Sequence, residues 1–133
     1  MNQNAIAQMI FNDDFDDLKE WEFISDNVMG GVSSGKISIK SVKRDKVIVL
    51  KGKVSTENNG GFIQARRNLR SISLKEAKYI KVVARGNNEK YYIHLRTSKM
   101  FFPWQYYQTG FKAEPNFKEF IFPISKFKTS IAR

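Results

Sequence analysis

The chain has no cysteine among its 133 residues, only three prolines, one histidine, and no apolar run long enough to cross a bilayer. Without cysteine, disulfides and thiolate metal sites are excluded, and a reducing compartment is compatible. Without a stretch of roughly 18 apolar residues, insertion into a membrane as a helix is excluded. Met1 to Phe11 has neither the basic start and apolar run of a secretory signal nor the arginines of a transit peptide, so a cytoplasmic, bacterial-type protein is expected. The N-terminal part is poor in base. Over residues 1–35, Lys19 stands alone against Asp13, Asp14, Asp16, Asp17, Glu20, Glu22 and Asp26, a net of −6, whereas the rest carries 22 bases against 6 acids, a net of +16. An acidic leader and a basic body suggest internal charge pairing, with enough excess to favour acidic partners.

What is abundant is alternation. Lys36-Ile37-Ser38-Ile39-Lys40-Ser41-Val42 switches strictly between polar and apolar, the pattern of a strand with one wet face, and Val47 to Val54 follows as its hairpin partner. Residues 62–66, 79–84, 91–97, 105–111 and 117–124 are further strand candidates, separated by Gly, Asn or Pro. Aromatic content of 14%, led by 11 Phe, suits packing on pleated surfaces. The capping-box spacing Ser73-Leu74-Lys75-Glu76 predicts one helical turn, and Asp14 to Trp21 a second short one. No repeat or linker appears, so the expectation is one all-β sandwich domain over 1–133.

Several motifs point to chemistry and lack its context. Gly31-Val32-Ser33-Ser34-Gly35 has the G-x-S-x-G form of a nucleophile elbow, which needs a helix after the serine; a strand follows instead, and the single His94 sits mid-strand, on the wetter face. Gly30 to Lys36 approaches a phosphate-binding loop, but Ile37 replaces the magnesium-binding hydroxyl and opens a strand. The run Asn12 to Asp17 lacks the glycine and closing glutamate of an EF-hand, so it reads as a solvated acidic turn rather than a metal site. Tyr91, Tyr92, Arg96, Trp104, Tyr106 and Tyr107 could line a basic aromatic track, yet no nucleic-acid-binding signature accompanies them, which disfavours that partner. Ser98 to Trp104 places large apolar residues in a Pro-containing connection, either capping a core or forming a contact loop. No motif supplies a paired acid and base, and none calls for a cofactor, so a non-catalytic role is expected.

The most distinctive segments are Ser25-Asp26-Asn27-Val28-Met29-Gly30-Gly31-Val32-Ser33 and Glu57-Asn58-Asn59-Gly60-Gly61-Phe62. Paired glycines admit positive φ, and Asp or Asn side chains bond nearby amides, so Gly30, Gly31, Gly60 and Gly61 are expected to form braced turns. Trp21, Asp26, Val28 to Gly31, Ser33, Asn59 to Phe62 and Arg66 together make the chain resemble the complex I intermediate-associated protein family, named for an assembly factor of NADH-ubiquinone oxidoreductase. Arg85-Gly86-Asn87, Tyr91, Arg96, Tyr107-Gln108, Phe111 and Pro123 to Phe127 extend the likeness over about Phe11 to Phe127. The resemblance implies a galactose-binding-like jelly-roll sandwich, no catalytic residues, and a part in assembling a multi-subunit complex through protein contacts. Phe117 stands where the family often has tryptophan, and family domains usually continue beyond the position of Arg133. The resemblance therefore leaves two expectations: either the sandwich closes with fewer strands, or an edge lies open that a partner or a second copy would cover.

The expected site gathers Asp26, Asn27, Asn58, Asn59, Arg66 and Arg96 as hydrogen-bonding groups, with Trp104, Tyr107 and Gln108 as an aromatic and polar wall. The same set admits carbohydrate as an alternative ligand, with a ring stacking on a sugar face.

Overall fold

A computed structural model describes residues 9–57, 61–69, 72–100, 102 and 105–130. The protein is all-β, with antiparallel strands joined by short 3-10 turns. Contacts divide it into two compact units, Met1–Ser73 and Leu74–Arg133. Among the described residues no helix is long and apolar enough to cross a membrane.

In the first unit, β1 (Trp21–Ser25) pairs antiparallel with β4 (Ile63–Arg67), from Trp21 opposite Arg67 to Ser25 opposite Ile63. The hairpin of β2 (Ser34–Val42) and β3 (Asp45–Lys53) turns over Lys43 and Arg44, with Lys43 at φ +57°. This two-residue loop lets pairing begin at Val42–Asp45, ahead of the strand start expected at Val47. Gly35 faces Gly52 across the hairpin, and a Cβ on Gly52 would strike the Ser34 carbonyl oxygen. The Gly35 of the phosphate-loop-like motif thus serves close backbone approach inside a strand pair.

Strand β1 is not anticipated by alternation. The expected turn over 14–21 ends in a 3-10 turn, Leu18–Glu20, whose cap Asp17 accepts the Lys19 amide, and Trp21 then enters the ladder. The helical turn expected at Ser73–Glu76 is instead a single hydrogen-bonded turn over Lys75 and Glu76, with Ala77 N–H donating to the Leu74 carbonyl at 3.0 Å. Four residues cannot repay helix nucleation without a continuing helical face.

In the second unit, β5 (Tyr79–Ala84) pairs with β8 (Lys118–Pro123), while β6 (Glu89–Leu95), β7 (Tyr107–Ala113) and β9 (Lys128–Thr129) form a sheet in the order β6-β7-β9. Alternation is clean in β5 and β6, so each sheet has one drier face. The two dry faces meet through rings: Phe111 of β7 lies 4.9 Å from Phe120 and 5.8 Å from Phe122 of β8, with Tyr91 6.2 Å away on the other side. Among the described residues, Phe122 and Ala113 are the buried apolar ones.

Truncating the most buried ring of this cluster leaves a cavity that backbone shifts cannot fill. Phe122→Ala is expected to lower the stability of the second unit by about 3 kcal/mol, read as a shift of the urea unfolding midpoint at unchanged slope.

Candidate functional site

The two glycine corners meet at one carboxylate. Ser25 caps a 3-10 turn, Asp26–Met29, by accepting the Asn27 amide at 3.2 Å, and the turn closes on Gly30 at φ +86°. Gly31 N–H returns to the Asp26 carbonyl at 2.9 Å. Gly31 packs directly on the Asp26 carboxyl group, and an added Cβ would come within 2.6 Å of Oδ1. Only glycine permits that approach.

The Asp26 carboxylate then ties down everything around it. Its Oδ1 accepts the Ser33 amide at 2.9 Å; its Oδ2 accepts the Ser33 hydroxyl at 2.5 Å, the Gly61 amide at 2.6 Å and the Phe62 amide at 3.3 Å. Ser33 Oγ in turn accepts the Ser55 amide at 2.8 Å, joining the segment after β3 to the same knot. Asp26 is 0% exposed and Ser33 1%. Burial pushes the Asp26 carboxyl up, but the Ser33 hydroxyl and the Gly61, Ser33 and Phe62 amides outweigh it and hold the group below its ordinary value.

Asp26, expected as a ligand-binding group, has its oxygens committed to its own chain. Ser33, the serine of the elbow-like motif, spends its proton on Asp26 and faces no solvent. Asn27 is exposed, and its Nδ2 donates to the Ser33 carbonyl at 3.3 Å. Gly61 sits at φ +140°; Asn58, Asn59 and Gly60 lie outside the described residues. What the corner presents outward is aliphatic: Val28 is 62% exposed, Val32 47% and Val54 50%.

The arginines divide by strand parity. Arg66 faces solvent and meets Glu22, its cross-strand neighbour, at 3.4 Å. Arg67 turns to the other face, where Asp13 Oδ2 accepts from it at 2.7 Å and the Phe11 ring lies 4.9 Å from its guanidinium carbon. Asp13 also accepts Trp21 Nε1 at 2.8 Å and the Phe15 amide at 2.7 Å. The acidic run is therefore anchored by Asp13 onto the β1–β4 pair. Neither Asp13 nor Arg67 stands out in the sequence; the readable signal is that alternate residues of a strand face opposite sides, so Arg66 and Arg67 cannot share a role.

In the second unit, Arg96 is exposed but spent on its own neighbours in the chain. It donates to the carbonyls of Gln105 at 3.1 Å, Met100 at 3.1 Å and Phe102 at 3.0 Å. Tyr107 and Gln108 are consecutive in β7 and point to opposite faces, so they cannot form one wall. Gln108 Oε1 lies 3.1 Å from His94 Nε2, and the His94 ring stacks on Tyr106 at 3.9 Å. Burial lowers the His94 pKa and outweighs the opposing bond to Gln108, so the ring is neutral near pH 7. Trp104 lies outside the described residues. Among the described residues no group of His, Asp and Glu is placed to hold a metal ion.

A family model described as complex I intermediate-associated protein 30 matches residues 10–132. No curated protein and no solved structure matches the chain.

Because the Asp26 pKa is lowered on folding, its contribution is present above the ordinary aspartate value and is lost as pH falls below it. Thermal melts should show an acid-side loss below about pH 4 in the parent that is blunted in Asp26→Asn, which starts from a lower melting temperature at pH 7. Chemical denaturation should separate the arginines. Arg67→Ala strands a partly buried Asp13 and costs roughly 2 kcal/mol, whereas Arg66→Ala removes an exposed pair and stays within about 1 kcal/mol of the parent.

Proposed function

The chain belongs to the complex I intermediate-associated protein 30 family, and on that premise we propose that it is a non-catalytic assembly module that holds a protein partner, a subunit or intermediate of a multi-subunit complex. The supporting observation is an inversion at the family's signature corner. The polar groups of the motif, Asp26 and Ser33, are buried and mutually satisfied, while Val28, Val32 and Val54 face outward. Ser33 and Ser55 are hydrogen-bonded to each other, so Val32 and Val54 each precede a residue of the same knot. A site for sugar hydroxyls or for acid–base chemistry would direct the carboxylate at the ligand. An aliphatic rim on a backbone pinned by four donors instead suits a rigid contact with another protein, because little conformational freedom is lost on binding.

Carbohydrate is the second reading, and its support lies elsewhere, in the exposed Tyr92 beside Gln108 on the β6-β7-β9 sheet. A glycan array reporting a Tyr92→Ala-sensitive neutral sugar would move the assignment there.

The main reading is tested by cross-linking and affinity purification from native cells. The parent chain should recover subunits of NADH-ubiquinone oxidoreductase or of another multi-subunit enzyme. Val28→Asp combined with Val32→Asp should lose that recovery by about tenfold while melting near the parent, since both side chains are solvent-facing. Undiminished recovery by the double variant would remove the corner from the interface.

A further inference from the structure

The outer face of the β6-β7-β9 sheet carries lysines that the rest of the described chain does not neutralise. Even-numbered residues of β6 and β7 share this face: Lys90 is directly opposite Lys112, Tyr92 opposite Gly110, and His94 opposite Gln108, which is in turn opposite Lys128 of β9. Like charges directly across a ladder are destabilising, yet none of the four ion pairs found among the described residues involves Lys90, Lys112, Lys126 or Lys128. The acids flanking these strands do not help. Glu89 and Glu114 are odd- and even-numbered neighbours at the strand ends, and neither is paired with these lysines. His94 is neutral near pH 7, so lysine alone sets the charge of the face.

The same face is shaped. Gly110 leaves a hollow bordered by Lys90, Tyr92, Gln108, Lys126 and Lys128. An added Cβ on Gly110 would fall 2.8 Å from Lys90 Cε and 3.1 Å from Tyr92 Cε1, so the lysine stem and the ring both lean over the glycine. The Lys90 ammonium sits 5.4 Å from the Tyr92 ring centroid, which fixes where that charge is held. Four residues of β7 separate the Lys112 row from the Gln108–Lys128 row, about 13 Å, the span of an extended peptide of about four residues.

We propose that this face docks an acidic, extended polypeptide segment, supplied by the partner in assembly. The inference rests on the protein-binding reading above for the class of occupant, and on the charge of the face for its chemistry. Nucleic acid fits less well, because a strand stacks successive bases on successive rings. Tyr92 is exposed, but the next ring along this face, His94, is already stacked on Tyr106. A second copy applying the same face would oppose lysine to lysine.

The experiment uses the full chain and a fluorescein-labelled peptide alternating glutamate with valine, followed by anisotropy. Comparison probes are the glutamine version of the peptide, an oligothymidylate of equal charge, and phosphatidylglycerol vesicles. Lys112→Glu with Lys128→Glu should weaken the acidic peptide by at least about tenfold, and the glutamine peptide should not bind. The control is Lys36→Glu with Lys51→Glu, an equal charge change on a cross-strand lysine pair of the β2–β3 hairpin, which should weaken binding less than about threefold. If circular dichroism shows that the reversed variant does not fold, Lys112→Gln with Lys128→Gln replaces it, with about threefold weakening expected. Equal loss in the hairpin control, equal binding of the glutamine peptide, or tighter binding of oligothymidylate or vesicles would each overturn the proposal. The probe needs no native partner, so a chain that recovers assembly subunits but ignores this peptide loses only the present inference, while the converse loses only the valine corner.

Discussion

The first unit is organised around one carboxylate, that of Asp26. Four donors from two separate glycine corners converge on it, and the serine whose hydroxyl donates to it also accepts an amide from the chain leaving β3. Segments far apart in sequence are thereby held at one point by hydrogen bonds. The most deeply buried residues of that unit are polar, and its aliphatic residues are partly exposed. A buried carboxylate is tolerable only when fully satisfied, so in this chain Asp26, Gly31 and Ser33 depend on one another.

The second unit is held differently. Its two sheets present their dry faces to each other through Phe111, Phe120, Phe122 and Tyr91, and burial follows the period of the strands. Polar contacts there brace rather than support: Arg96 pins its loop by three carbonyls, and Asn88, at φ +67°, donates its amide to Ala113 to close the turn before β6. One unit thus depends on hydrogen-bond satisfaction and the other on ring packing, so acid is expected to affect the first before the second.

Charge follows the same division. The N-terminal acids are partly neutralised where they arise: Asp13 by Arg67, Glu22 by Arg66, and Asp16 by Lys46 at 3.5 Å. The basic excess is left on the β2–β3 hairpin and on the outer β6-β7-β9 face, where lysines oppose lysines. On the proposed reading, the aliphatic corner in one unit and the cationic face in the other would make two contacts of different physical kinds. The first gains from water release, and the second from charge complementarity that salt weakens.

Strand identity and family were legible in the amino-acid order, because alternation with period two and a run of Gly, Asp and Asn at fixed spacing are local properties of the chain. Of the nine strands among the described residues, seven lie where that pattern puts them; β1 escaped because Trp21 to Ser25 alternates poorly, and β9 because it is two residues long. The expected site was less legible. That Asp26 faces inward, that Arg67 rather than Arg66 answers Asp13, and that Arg96 is consumed by its own loop all depend on which donors and acceptors arrive from elsewhere in the chain. Local sequence determined which residues can turn, extend or carry charge; only tertiary structure decided whether each polar group is spent on the fold or left for a partner, since hydrogen-bond satisfaction is settled by neighbours in space.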